Sequence, residues 1–264
     1  MDFGISGKTA LVTGATVGIG LAIAEGLARE GVHVIITGRS QERIDAALNQ
    51  LKKKVPSAKA SGIPADHGTA EGARAVTDKF PEIDILVNNV GMYKPVEFAD
   101  ITDADWEQIW DVNVMSGIRL CRYYFSKMLK KNWGRVIFIS SESGVNVPAE
   151  MVHYGVTKTA QLALSRGMAE LTKGTNVTVN SVLPGPTMSE GVETFVEDMA
   201  KSQKKTRDQV QKEFFENVRP SSLIARFASV EEVANMVVYT CSQAASATNG
   251  AALRVEGGCV RSIT

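Results

Sequence analysis

Thr9-Ala-Leu-Val-Thr13-Gly14-Ala-Thr-Val-Gly18-Ile-Gly20 decides the architecture of this chain. Thr9 to Thr13 read as an apolar strand. Gly14 to Gly20 form a glycine-rich turn, and an apolar-periodic helix follows through Ala22, Ala24, Leu27 and Ala28. Glycines let a backbone turn sharply and approach a pyrophosphate, and a helix N-terminus offers unpaired N–H groups with positive dipole. Strand, turn and helix in that order predict a nucleotide-phosphate cradle.

Further strands and helices alternate. Val32-His-Val-Ile-Ile36 is a second strand and Gln41 to Lys54 a helix. A short strand near Ala58 to Ile63 leads to Asp66 and then to a helix near Thr69 to Phe80. Ile83-Asp-Ile-Leu-Val87 precedes Asn88-Asn89-Val90-Gly91, a long helix spans about Asp103 to Lys130, and Arg135 to Ile139 is a strand ending in Ser140-Ser141. Val177 to Leu183 runs into Pro184-Gly185-Pro186-Thr187. A helix from about Ser229 to Ser242 and a strand from Ala252 to Val255 complete the chain. This alternation predicts one α/β domain over 1–264, a doubly wound parallel sheet of about seven strands with ligands beyond the strands' carboxyl ends.

The second strand ends at Thr37-Gly38-Arg39-Ser40. Dinucleotide folds place an acidic residue about there to bind the ribose 2′-hydroxyl of NAD. This chain offers Arg39 instead, so NADP(H) is the preferred cofactor, with Arg39 and Ser40 at the 2′-phosphate and NAD(H) the alternative. The other reading of Arg39 is the solvated start of a helix.

Tyr154 and Lys158 are four apart and share a face of the helix that begins near Met151. A free phenol titrates near pH 10, and an adjacent ammonium lowers that value. The Ser141 hydroxyl, delivered by the preceding strand, can hold a carbonyl oxygen where charge develops. Taken alone, the pair is as readily an exposed helical face. Asn113, inside the long helix where its propensity is poor, is either a tolerated surface residue or the holder of a water.

With these residues in place, the chain resembles the short-chain dehydrogenase/reductase family along essentially its whole length. The matching segments are Thr13–Gly20, Asn88–Gly91 (N-N-V-G where the family pattern reads N-N-A-G), Asn113, Ser141, Tyr154–Lys158 and Pro184–Thr187. The resemblance implies that Tyr154 is the acid in carbonyl reduction and the base in alcohol oxidation. By the same token, Lys158 holds the nicotinamide ribose and lowers the tyrosine pKa, Ser141 positions the carbonyl, and Asn113 carries a water linking Lys158 to solvent. It assigns cofactor contacts to Gly14, Thr16, Gly18, Ile19, Gly20, Asp66 (at the adenine), Asn89, Gly91, Tyr154, Lys158, Pro184, Gly185 and Thr187. It also implies a homotetramer. Within the family the layout is similar to 3-oxoacyl-acyl-carrier-protein reductases, although the segment after Gly185 is longer than in those compact enzymes. A small ketone, sugar or steroid therefore stays open beside a 3-oxoacyl thioester.

Residues 186–222 change character. Met188, Val192, Phe195, Val196 and Met199 recur at helical spacing, as do Val210, Phe214, Phe215 and Val218, with a polar turn between them. Two lid helices over a substrate pocket are expected.

The remaining features exclude more than they add. Twenty-nine basic and twenty-nine acidic residues balance over 264, so nothing directs the chain to nucleic acid or anionic membrane. Cys121, Cys241 and Cys259 lack metal or redox spacing. No metal site, signal segment or membrane span is read, and a cytoplasmic location is expected. His33 is read as core, His67 as surface loop and His153 as rim packing. Glu142 lies between serines, but no G-x-S-x-G elbow accompanies it. The rival to an enzyme is a non-catalytic NAD(P)-binding sensor or scaffold.

Overall fold

A computed structural model describes residues 2–263. The first half holds β1 (Thr9–Val12), α1 (Gly18–Arg29), β2 (His33–Gly38), α2 (Gln41–Lys54), β3 (Ala60–Pro64), α3 (Ala70–Lys79) and β4 (Ile85–Asn88). It continues with α4 (Asp103–Trp110), α5 (Ser116–Lys131), β5 (Gly134–Ile139), α6 (Val152–Glu170) and β6 (Val177–Pro184). The chain ends with β7 (Thr187–Met188), α7 (Glu190–Gln203), α8 (Arg207–Asn217), β8 (Ala228–Ser229), α9 (Val230–Cys241) and β9 (Ala252–Val255).

Seven parallel strands form one sheet in the order β3-β2-β1-β4-β5-β6-β9. Every residue of β4, β5 and β6 is buried, as expected where helices cover both faces. One core joins α1, α2 and α9 to the sheet through Leu27, Ile44 and Val237, and the other joins α3 and α5 through Val76 and Leu120. The strand order reverses between β1 and β4, which opens a crevice at their carboxyl ends.

The predicted long helix is divided. A π turn, Asp111–Met115, separates α4 from α5, and the Ser116 amide reaches back to the Asp111 carbonyl. The wider turn lets the Asn113 side chain point inward at 1% exposure instead of lying on a regular helical surface.

Both lid helices form, and they share a small core of their own around Val196, Val210, Phe215 and Phe227. Phe227 stacks on Phe214 at 5.0 Å and meets the edge of Phe215 at 5.1 Å. The sequence reading did not include the ribbon at the lid's base, where β7 and β8 pair in parallel (Thr187 with Ala228, Met188 with Ser229). Among the described residues no helix is long and apolar enough to cross a membrane.

Candidate active site

The glycine turn sits at the reversal point of the sheet. Gly14 and Gly18 have φ of +60° and +59°, a region that disfavours side chains. A Cβ on Gly20 would lie 2.5 Å from Asn89 Nδ2 and 2.6 Å from the Gly14 carbonyl, so only glycine fits there. Asn89 braces the turn by donating from Nδ2 to the Thr13 and Gly14 carbonyls at 2.9 and 3.0 Å. The helices α2, α3, α4, α8 and α9 each begin with a Ser or Thr side chain accepting a backbone N–H. By contrast, α1 begins at Val17 with no side-chain cap and no acidic residue in its first turn. Its free N–H groups and dipole suit the pyrophosphate of a dinucleotide.

Thr37, at the end of β2, accepts the Gly14 amide at 3.2 Å and bonds His67 Nε2 at 2.7 Å. His67 is therefore not the surface residue its loop position predicts. It is 3% exposed, and burial pushes its imidazole down to about 4, so it braces the turn as a neutral ring. Arg39 is exposed and makes no ion pair among the described residues, and Ser40 caps α2 by accepting the Arg43 amide. Asp66 is exposed, with Oδ1 on the Gly68 amide. Thr16 lies under the β2–α2 turn, where a Cβ on Gly38 would meet its methyl at 2.5 Å.

A cavity of about 710 Å³ opens between the carboxyl ends of the strands and the lid. Ser141, Tyr154 and Lys158 line it, as do Ile19, Asn89, Gly91, Pro184, Gly185 and Thr187, and the lid adds Phe195, Met199 and Phe214. Thr187 is fixed by donating to the Gly185 carbonyl at 2.9 Å. The structure thus gathers the expected Tyr–Lys–Ser group at one cavity. Arg39, Ser40 and Asp66 lie outside that wall, at the ends of β2 and β3 where the far half of a dinucleotide would extend.

Lys158 is 4% exposed, with Nζ 5.6 Å from the centre of the Tyr154 ring and donating to the Ile139 carbonyl at 2.9 Å. Burial pushes Lys158 down to about 7. Burial also pushes the Tyr154 phenol up to about 12, against a smaller downward pull from Ser141. In the free protein burial, rather than Lys158, sets the direction in which the phenol moves. Desolvation disfavours the charged form of each group.

The Asn113 side chain is engaged at both its oxygen and its nitrogen. Its Oδ1 accepts the Met92 amide at 2.8 Å, and Nδ2 donates to the Met92 carbonyl at 3.0 Å and Thr157 Oγ1 at 2.9 Å. It therefore ties α5's approach to the loop after β4. His153 is 1% exposed, with its ring edge against Trp106 at 5.9 Å, so it lies inside the α4–α6 contact and not at a rim.

Tyr93 and Arg219 of the cavity wall were not singled out by the sequence, and Glu142 was weighed there only for a hydrolase elbow. Tyr93 meets Tyr154 edge-on at 6.2 Å. Glu142, 4% exposed, pairs with Arg219 of the lid at 3.0 Å and accepts the Ser143 hydroxyl at 2.6 Å. Glu142's placement in S-S-E-S-G was the available signal. Arg219 lies 77 residues away and carried none. Replacing Arg219 with Met leaves a buried carboxylate without its partner, at a cost of about 3 kcal/mol. Thermal melting should fall by roughly 6–12 °C. Adding Glu142→Gln should recover part of that loss, and an unchanged melting point in the single variant would show the pair to be unimportant.

Residues 8–200 match the family model described as short chain dehydrogenase. The chain is 47% identical to the uncharacterized oxidoreductase YvaG of Bacillus subtilis over 100% of both proteins. It is 34% identical to the 3-oxoacyl-acyl-carrier-protein reductase FabG of Aquifex aeolicus over 98% of this chain and 99% of that one. The crystal structure of Gluconobacter frateurii L-sorbose reductase, complexed with NADPH and L-sorbose, matches with a TM-score of 0.93. The identity is 32%, over 100% of both chains.

Proposed function

This chain belongs to the short-chain dehydrogenase family and is an oxidoreductase, and we propose that it reduces a small hydroxylated ketone with NADP(H), or oxidises the matching secondary alcohol. The observation that carries this reading is the convergence of Ser141, Tyr154 and Lys158 on one cavity beside the glycine turn. A bound nicotinamide would supply or accept the hydride at the substrate carbon. Tyr154 gives its phenolic proton to the carbonyl oxygen, so C=O becomes CH–OH, and the reverse reaction returns that proton to the phenolate. Ser141 donates to the same oxygen as negative charge develops. Lys158 holds the ribose and, when protonated, favours the phenolate.

Arg39 meets the 2′-phosphate, which an acidic residue would repel. The L-sorbose reductase that this chain resembles was crystallised with NADPH, which supports the same choice. NAD(H) is the weaker cofactor.

Glu142 and Arg219 give the cavity a polar wall near Tyr154, which favours a ketone bearing a hydroxyl close to its carbonyl. A second reading, a 3-oxoacyl thioester, draws on the apolar lid residues Phe195, Met199 and Phe214. The test is consumption of NADPH and NADH, followed at 340 nm, over a panel of ketoses, simple hydroxyketones and 3-oxoacyl thioesters. Turnover of hydroxyketones with NADPH is expected. Turnover of thioesters alone would transfer the assignment to the second reading. Silence across the panel in a protein that binds NADPH would overturn both.

A further inference from the structure

Gln161 follows Lys158 by three positions, so both side chains leave the same face of α6. It is 2% exposed and takes no part in the cavity wall. Its Nε2 donates to the Asn113 backbone carbonyl at 2.6 Å, and its Oε1 accepts from Lys158 Nζ at 3.3 Å. These partners fix the orientation of the carboxamide, since a carbonyl only accepts and an ammonium only donates. The Asn113 carbonyl comes within reach of a side chain on α6 at the π turn, where the backbone register slips by one residue.

An ammonium has three donors. In Lys158 one goes to the Ile139 carbonyl and one to Gln161, which leaves one for the cavity that Lys158 lines. Without the second acceptor Nζ is free to rotate about its stem, and the cavity-facing donor loses its aim. We propose that Gln161 is a positioning residue for the redox reaction, aiming the third donor of Lys158 into the cavity by bridging its ammonium to the Asn113 backbone carbonyl. In reduction the substrate carbon gains the hydride and its oxygen gains the Tyr154 proton. Gln161 takes no part in either bond change and acts only through Lys158. The inference rests on the reading of Tyr154 and Lys158 as the proton-handling pair.

The charged and titratable groups packed around Lys158 are few. Tyr154 shares its helix, and Tyr93 comes from the loop after β4. Glu142 follows β5 and is tied to Arg219, while Asp111 of the π turn is tied to Arg119 at 2.6 Å. Burial pushes Lys158 down, and among the described residues no carboxylate offsets it. Among the described residues the Gln161 carbonyl is the side-chain oxygen that accepts from the charged form, beside the face of the Tyr154 ring.

Two variants separate this role from packing. Gln161→Met keeps the volume and removes both bonds, and Gln161→Glu keeps an acceptor and adds negative charge. Lys158 is titrated in the cofactor-free protein by NMR of ¹³Cε-lysine, with its signal assigned by comparison with Lys158→Met. Gln161→Met should lower the Lys158 midpoint by about one unit and Gln161→Glu should raise it by a similar amount. The alkaline limb of kcat for reduction should move in the same two directions. Gln161→Met should also lose about tenfold in kcat with substrate KM unchanged.

A Lys158 titration unmoved in Gln161→Met, or moved alike in both variants, would show that Gln161 only fills space. That result would overturn the proposal and leave the proposed reaction standing if wild-type turnover persists. A Lys158 midpoint that moves as expected while the kcat limb stays fixed would overturn the role in the reaction. It would also overturn the assignment of Lys158 to proton handling.

Discussion

Tyr154→Phe should lower kcat by about a thousandfold while leaving NADPH affinity within about threefold. The substitution removes one oxygen from a half-buried ring and keeps its edge contact with Tyr93. What disappears is the proton donor for the carbonyl oxygen, and a positioned general acid contributes about 10²–10⁴ in rate. Burial holds the phenol protonated up to about 12, so in the free protein the acid form is complete throughout the neutral range. Alcohol oxidation needs the phenolate and should therefore gain with rising pH in the wild type, and that gain should vanish in Tyr154→Phe. Steady-state rates in both directions, with cofactor binding followed by fluorescence quenching, give the answer. Undiminished turnover would remove Tyr154 from the reaction.

The second large effect concerns cofactor choice. Arg39→Asp should shift the ratio of kcat/KM for NADPH over NADH by about a thousandfold towards NADH. Hydrogen bonds from a guanidinium to a phosphate contribute about 1.5–3 kcal/mol. A carboxylate in its place adds repulsion of the 2′-phosphate and an acceptor for the 2′-hydroxyl, bringing the swing to about 4 kcal/mol. Arg39 is exposed and makes no ion pair among the described residues, so the change should leave the melting temperature nearly unmoved. Measuring both cofactors under identical conditions decides it, and an unaltered ratio would place the 2′-phosphate elsewhere.

Much of this protein was legible in its sequence because the decisive signals are local. The glycine turn needs only twelve residues to show a strand, a bend without side chains and a helix start. Tyr154 and Lys158 need only the helical repeat to share a face. What escaped depends on distant partners. His67 reads as a loop residue until Thr37, 30 positions earlier, is placed beside it. The ribbon of β7 and β8 has two residues on each strand, too few for any periodicity, and it forms only because the lid returns to its origin. The π turn at Asn113 is a slip in register chosen by the Met92 backbone, Thr157 and Gln161, not by helix propensity. Desolvation of Tyr154 and Lys158 could not be read from their spacing, which shows the attraction between them but not the burial that shifts each group.

The β7–β8 ribbon also makes the lid exchangeable. Residues 189–227 leave the domain and rejoin it at two adjacent points clamped by Thr187–Ala228 and Met188–Ser229, and the aromatic cluster around Phe227 packs largely within the excursion. A loop that starts and finishes at one clamp can be lengthened, shortened or recoded at little closure cost, since closure entropy rises only slowly with length, as long as Arg219 keeps its tie to Glu142. The frame keeps hydride and proton chemistry constant, and inheritance can vary the cover independently. New substrates in such a scaffold can arise by grafting a cassette between two paired dipeptides, with the reacting groups left untouched.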